Sequence, residues 1–164
     1  MNRFSKIKIY TVRILLAAIA ILLPIGLAGP AHAVGEPTIS IGGCTATIYD
    51  PTHAGFNSAG TKLVKFAVKI ECDGWRTATI HQRAYEEDSE TNPPSWYYLG
   101  FKEYKKDFLV PWRSSETVSW TTTLPNTEPG NEEMLQKVRL SVSKDGVNTG
   151  WSPWKNSRIQ SMPN

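Results

Sequence analysis

Apolar and polar residues alternate most regularly between Leu63 and Cys72. Apolar side chains fall at every second position of this stretch: Val64, Phe66, Val68, Ile70 and Cys72. Two lysines, an alanine and a glutamate lie between them. Because successive side chains of a β-strand point to opposite faces, this period of two predicts a strand with one buried face. We expect this strand to lie at the centre of the fold.

Shorter alternating runs follow along the rest of the chain, separated by residues typical of turns. We interpret them as strands at residues 38–49 (one strand bent at Gly42-Gly43), 96–101, 108–112, 117–124, 138–142 and 147–159. Turn signals recur about every 8–12 residues, and no long segment has a helical period. The pattern predicts an all-β fold, an antiparallel immunoglobulin-like β-sandwich of about seven to eight short strands. A small β-barrel is the alternative architecture.

Two local patterns bear on how these strands connect. Asp73-Gly74 is a strong hairpin signal, and a hairpin there would place Glu71 opposite Arg76. The length of that loop decides whether His81 lies on the buried or the exposed face, and the pattern leaves both registers open. Glu132 to Gln136 has the composition of a single helical turn.

The first 33 residues have the three-part pattern of a cleavable secretory signal peptide. Arg3, Lys6, Lys8 and Arg13 precede an apolar run, and Ala31-His32-Ala33 supplies small residues around a cleavage position before Val34. An uncleaved membrane anchor is the alternative, but prolines and glycines interrupt the second half of the apolar stretch. We therefore expect residues 34–164 to form a single β-sandwich domain that is extracellular, secreted or associated with the cell wall.

Cleavage changes the net charge and therefore the expected partners. Four of the 18 basic residues leave with the leader, so 14 remain against 15 acidic residues. The mature chain is then close to −1 rather than +3, and its charge favours neither nucleic acid nor an anionic membrane. We expect no nucleic-acid partner and no stable membrane insertion after cleavage.

The chain has two cysteines, Cys44 and Cys72. In an exported chain such a pair favours one disulfide bond. A catalytic or redox pair is the alternative, but the spacing is not that of a C-x-x-C motif. We predict a structural Cys44–Cys72 bridge.

Catalytic and metal-binding motifs are absent from the sequence. After the leader, the histidines are His53 and His81, and a triad assembled from separate loops stays open because triads are recognised by geometry. Glu86, Glu87, Asp88 and Glu90 form an acidic segment that we interpret as a solvated loop, with a Ca²⁺ site as the alternative. We predict no catalytic residue, no metal and no cofactor.

Six tryptophans are the most unusual feature of the composition. Aromatic side chains fill many β-sheet cores, and Trp120 fits that role because it is in phase with Val118 and Leu124. The run Trp96-Tyr97-Tyr98 cannot be buried as a whole, since consecutive strand residues face opposite ways. We predict a binding patch formed by the following residues: Trp96, Tyr97, Tyr98 and Trp112.

Trp151-Ser152-Pro153-Trp154 resembles part of the Trp-Ser-x-Trp-Ser box of cytokine-receptor β-sandwiches, with Lys155 in place of the final serine. In that family, arginines of a neighbouring strand stack between the tryptophans. The resemblance covers four residues and implies that Arg139 stacks on Trp151 or Trp154, a contact worth about 0.5–1 kcal/mol if exposed.

These observations together favour a secreted, non-catalytic binding module whose partner is a cell-wall glycan or an extracellular protein. A bacteriocin-like or toxin-like protein is the first alternative, because such proteins have the same size and export signal. A secreted hydrolase with a site assembled from loops is the second.

Overall fold

A computed structural model of the protein describes residues 35–88, 95–124 and 131–163. The predicted leader, residues 1–33, lies outside the described residues. Within the described part of the chain the secondary structure is entirely β, with eleven strands. In that part no helix is long and apolar enough to span a membrane.

The strands form two antiparallel sheets that pack as a sandwich. The first sheet contains β1 (Thr38–Ile41), β2 (Cys44–Ile48), β3 (Thr52–Phe56), β4 (Lys62–Asp73) and β7 (Arg113–Thr123). The second sheet contains β5 (Arg76–Asp88), β6 (Ser95–Phe108), β8 (Asn131–Lys144), β9 (Val147–Trp151), β10 (Lys155–Asn156) and β11 (Gln160–Pro163). The predicted all-β antiparallel sandwich is confirmed.

Each sheet is built around one long strand. In the first sheet, β7 pairs along one side of β4, while β2 and β3 share the other side. In the second sheet, β5 pairs along one side of β8 and carries β6 beyond it. Three short strands, β9, β10 and β11, share the other side of β8.

The core lies between the two sheets and follows the predicted alternation. On β4 the buried residues are the five that alternate in the sequence: Val64, Phe66, Val68, Ile70 and Cys72. Ala78 and Ile80 of β5 face them from the second sheet, together with apolar residues of β8. The predicted disulfide is present: Cys44 and Cys72 are direct register partners on β2 and β4, and both sulfurs lie in the core.

The turn at Asp73-Gly74 does not form a hairpin. β4 belongs to the first sheet and β5 to the second, so the chain changes sheets there. Glu71 does not pair with Arg76. Its Oε1 lies 3.0 Å from Nε of Arg113 on β7 instead. Gly74 has φ +79°, and a Cβ there would lie 3.4 Å from the Pro111 carbonyl oxygen. The predicted tight, glycine-dependent turn is thus present, but it takes the chain from the first sheet to the second.

Two further expectations about the strands are wrong. The bent first strand is a hairpin, since Ile41 pairs with Cys44 around a Gly42-Gly43 loop with φ +57° and +75°. Both residues at positive φ match the type I′ turn that connects twisted strands. The expected helical turn at residues 132–136 lies inside β8, where tertiary pairing overrides a weak local preference. The strands are also more numerous than the pattern predicted, and four of them are longer than predicted: β4, β6, β7 and β8.

Two fully buried glutamines link the sheets through the core. Gln82 of β5 donates to the side-chain oxygen of Gln136 of β8. Gln136 Nε2 in turn donates to the carbonyl oxygens of Tyr49, at 2.5 Å, and Ala67, at 2.9 Å. Tyr49 lies where the chain passes from β2 to β3, and Ala67 lies on β4, where its carbonyl oxygen also accepts from the Tyr49 amide. Gln136 therefore gives the Tyr49 carbonyl a donor and the Ala67 carbonyl a second one.

Candidate functional site

The candidate site is the outer face of the second sheet, opposite to the core. On β5 the residues Ile80, Gln82 and Ala84 are fully buried against the first sheet. The alternation of a strand then directs His81, Arg83 and Tyr85 outward. On β8 the same alternation directs Lys137 and Arg139 to this face.

The segment after β9 brings two tryptophans to the same face. β9 ends at Trp151, and the strand is interrupted before β10 begins at Lys155, as expected for Pro153, which has no amide donor. Ser152 maintains the connection to β8, since its amide donates to the Leu140 carbonyl (2.8 Å) and its hydroxyl accepts from the Leu140 amide (3.0 Å). The serine hydroxyl thus replaces a backbone acceptor at the break and holds Trp151 and Trp154 beside β8.

Arginines and tryptophans alternate in a stacked row on this face, which we call the ladder: Arg83, Trp154, Arg139 and Trp151. The Arg139 Cζ lies 4.4 Å from the ring centroid of Trp151 and 4.8 Å from that of Trp154. The Arg83 Cζ lies 4.6 Å from the same Trp154 ring. The structure thus brings together the three predicted stacking residues.

Arg83 is a ladder residue that the sequence reasoning missed. Its outward position follows from the alternation of β5, but its approach to Trp154 depends on β5 pairing with β8. In the register, Arg83 is opposite Lys137 and His81 is opposite Arg139. A hairpin at Asp73-Gly74 would place β5 beside β4, so the pairing of β5 with β8 was not expected.

His81 extends the ladder and is held by hydrogen bonds on both ring nitrogens. Its ring centroid lies 3.9 Å from that of Trp151. Arg139 Nε and Nη2 lie 3.1 Å and 2.9 Å from His81 Nδ1, and Glu103 Oε2 lies 2.5 Å from Nε2. A guanidinium has only donors, so His81 Nδ1 accepts the hydrogen bonds from Arg139. The ring proton is therefore on Nε2, which donates a hydrogen bond to Glu103. His81 thus orients Arg139, and its side chain is 13% exposed.

A second aromatic group adjoins the ladder and contains part of the predicted patch. Tyr98 of β6 is the register partner of Tyr85, with ring centroids 5.7 Å apart, and Lys137 Nζ lies 4.9 Å from the Tyr85 ring centroid. Trp96 pairs with Glu87 on the same outward side. Tyr98 is 56% exposed, so its ring offers an accessible flat surface beside the cations.

The other two residues of the predicted patch lie elsewhere. Tyr97 pairs with Glu86, whose side chain points into the sandwich, so Tyr97 is directed to the opposite face of β6. Trp112 follows the far end of β6, a strand of 14 residues that is roughly 40 Å long at the usual rise per residue. Trp112 is 67% exposed there, near the exposed Trp75. Predicting one patch from all four residues was therefore wrong.

The described part of the acidic segment lies in a strand and not in the predicted loop. Glu86 and Glu87 belong to β5, and Glu86 is fully buried whereas Glu87 points outward. Glu90 lies outside the described residues. Among the residues that are described, no group of three His, Cys, Asp or Glu side chains could hold a metal ion. His53 is exposed on β3 in the other sheet, with its ring 5.2 Å from that of Phe56.

Comparison with known proteins gives remote structural similarity. No family model matches the chain, and no curated protein matches it. Among solved structures, the chain is similar to the crystal structure of Spo0M, a sporulation control protein from Bacillus subtilis. The identity is 14% and the TM-score 0.41, over 75% of this chain and 49% of the other, so this chain spans about half the length of that structure.

Proposed function

We propose that the protein is exported, loses residues 1–33, and acts outside the cell as an immunoglobulin-like, non-catalytic binding module for a cell-wall glycan. Residues 34–164 are its single domain, and the outer face of the second sheet is its ligand surface. The observation that carries this proposal is the gathering of aromatic rings from two distant parts of the chain onto one face. Tyr98 comes from β6 and Trp151 from β9, and both are exposed by 40% or more.

The chemistry of this face suits a sugar chain. Tyrosine and tryptophan present rigid, flat surfaces whose apolar faces accept the C–H side of a sugar ring, while their polar atoms reach water or hydroxyl groups. On this face the rings are already fixed by stacking, because Arg139 lies against both tryptophans. A ligand therefore meets side chains that lose little conformational freedom when it binds.

The exported form has a simple check. Intact-mass analysis of protein from the culture supernatant is expected to give a chain that begins at Val34 and has no free thiol. A secreted chain that still begins at Met1 would contradict the proposed processing.

The binding function is tested by retention on purified cell wall. We expect the protein to be retained on the wall. In the variants Tyr98→Ala and Trp154→Ala we expect the affinity for the wall to fall by about tenfold or more, the effect of losing a central aromatic contact. Trp112→Ala is the matched control, since it removes an exposed tryptophan beyond the far end of β6. Near-equal melting temperatures would show that the variants are folded.

Two results would overturn the proposal. One is absence of retention for the folded, bridged protein. The other is retention that depends on Trp112 and is unchanged by Tyr98→Ala and Trp154→Ala, because the ligand surface would then lie at the other end of the sandwich.

A further inference from the structure

We infer that the ligand of this face is an acidic sugar, one that carries a carboxylate or phosphate group on a ring that stacks on the aromatic side chains. This inference rests on the proposed function and names its ligand class. It starts from three cations at the centre of the face, Arg83, Lys137 and Arg139, which we call the cation cluster.

The three cations are close neighbours by register. Arg83 and Lys137 are direct partners on β5 and β8, and Arg139 is in the next outward-facing row. Directly paired side chains have Cβ atoms about 5 Å apart, and successive rows on one face are about 7 Å apart. Three positive charges thus share an area comparable to one or two sugar rings.

The cation cluster is held by aromatic rings and not by carboxylates. Within the described residues, none of its members has an ion pair, whereas the exposed Arg113 and Arg158 each lie within 3.0 Å of carboxylate oxygens. Each member of the cluster stacks on a ring: Arg83 on Trp154, Lys137 on Tyr85, and Arg139 on Trp151 and Trp154. Its positive charge is therefore not neutralised by a neighbouring side chain.

Stacking also leaves the hydrogen-bond donors available. A guanidinium stacks through its flat face, and its N–H groups point outward in the plane. Arg139 uses Nε and Nη2 toward His81, and among the described residues no hydrogen bond competes for the donors of Arg83. A carboxylate or phosphate oxygen that approaches in that plane would form charge-assisted hydrogen bonds while the sugar ring lies on the exposed ring of Tyr98.

Acidic residues limit the charge that the ligand can carry. Glu87 and Glu133 are register partners two outward-facing rows beyond Arg83 and Lys137, and Glu103 lies beside His81. A long polyanion such as nucleic acid would pass over these carboxylates and be repelled. The face therefore fits a sugar unit with one or two acidic groups, set among neutral units or at a chain end.

The inference is tested with defined oligosaccharides and the secreted, bridged protein. The probes are a neutral oligosaccharide that ends in one glucuronic acid unit, the same oligosaccharide with that carboxyl group methyl-esterified, and the same neutral oligosaccharide ending in one glucose 6-phosphate unit, each titrated by calorimetry at low and at high salt. We expect the free acid or the phosphate-bearing oligosaccharide to bind at least about tenfold more tightly than the methyl ester, and this binding to weaken as salt rises. The two anionic probes distinguish carboxylate from phosphate as the recognised group.

Matched variants locate the binding. Arg83→Gln and Lys137→Gln keep much of the aliphatic packing, and each is expected to weaken binding of the anionic probe by about tenfold. Lys65→Gln, which removes an exposed charge from β4 of the other sheet, is expected to leave it unchanged. Equal binding of the free acid and the methyl ester, or equal loss with Lys65→Gln, would overturn the inference.

The outcomes separate this inference from the proposed function. If the protein is retained on cell wall through Tyr98 but prefers the methyl ester or a neutral glycan, the acidic ligand is wrong and the binding function stands. If the folded protein binds neither cell wall nor any probe, both are wrong.

Discussion

Gln82 and Gln136 are the same residue type in the same core, yet their replacement by methionine is expected to have very different effects on stability. Both side chains are fully buried. Gln136 receives a hydrogen bond from Gln82 and donates to two carbonyls of the first sheet. Gln82 makes only the donation to Gln136, and its own Oε1 has no hydrogen-bond partner among the described residues.

The magnitudes follow from counting the groups left without a partner. Gln136→Met deprives the Gln82 amide of its acceptor and the Tyr49 carbonyl of its donor, while the Ala67 carbonyl keeps the Tyr49 amide at 3.2 Å. Each buried polar group that loses its partner costs about 1–3 kcal/mol, so we expect a loss of about 3 kcal/mol in the free energy of unfolding. Gln82→Met strands one acceptor, Gln136 Oε1, but also removes the unpaired Gln82 Oε1. These terms oppose each other, and the net cost is expected to be below about 1 kcal/mol.

Urea denaturation of the protein with its Cys44–Cys72 bridge intact, followed by tryptophan fluorescence, measures both effects. At a slope of about 2 kcal/mol per molar, Gln136→Met should lower the midpoint by about 1.5 M and Gln82→Met by less than about 0.5 M. The double variant should be more stable than Gln136→Met alone, since it no longer contains the stranded Gln82 amide. Equal midpoints for the two single variants, or a larger loss with Gln82→Met, would refute this account of the network.

Two further predictions concern the bridge and one tyrosine. Replacing Cys44 and Cys72 together by alanine opens a loop of 29 residues (separation 28), and the loop-entropy relation predicts a loss of about 3.6 kcal/mol in the free energy of unfolding; a loss under about 1 kcal/mol in urea denaturation would contradict it. Burial raises the pKa of Tyr104 above its ordinary value, because desolvation disfavours the phenolate. The folded state thus keeps this proton at a pH where the unfolded chain releases it, so stability is present below the unfolded pKa and is lost as pH rises through the folded one. The phenolate absorbance of the wild type and of Tyr104→Phe should differ by one late-titrating group, and an ordinary pKa for that group would contradict the prediction.

The predictable part of the fold was the part encoded by local alternation. Val64 to Cys72 alternate in the sequence, and their burial on β4 follows directly from the period of two. The disulfide was predictable because a chain with two cysteines and an expected export signal has one intramolecular pairing. Neither inference requires knowledge of which strands are neighbours.

The order of strands could not be read in the same way. Asp73-Gly74 encodes a tight turn, but the same turn can return a strand to its own sheet or direct it to the opposite one. The choice depends on whether β7 or β5 occupies the long edge of β4, and β7 occupies it from Leu63 to Asp73. That competition is between segments about fifty residues apart, so no local pattern reports it.

The same distinction between local and long-range information applies to the candidate site. Some of its contacts depend on local sequence, and others depend on which strands pair. The resemblance carried by Trp151-Ser152-Pro153-Trp154 implied the stack, and two local features, the break at the proline and the serine hydroxyl, hold both rings against β8. Tyr98 and Arg83 reach the ladder only through the pairing of β6 with β5 and of β5 with β8. Trp112 was predicted to share a patch with Trp96, but Trp96 lies near the start of β6, a strand of 14 residues, and Trp112 follows its end. Predicting a surface that several strands share therefore requires the register of those strands. Here the register brings residues of two separate sequence motifs onto one face that carries aromatic rings and cations.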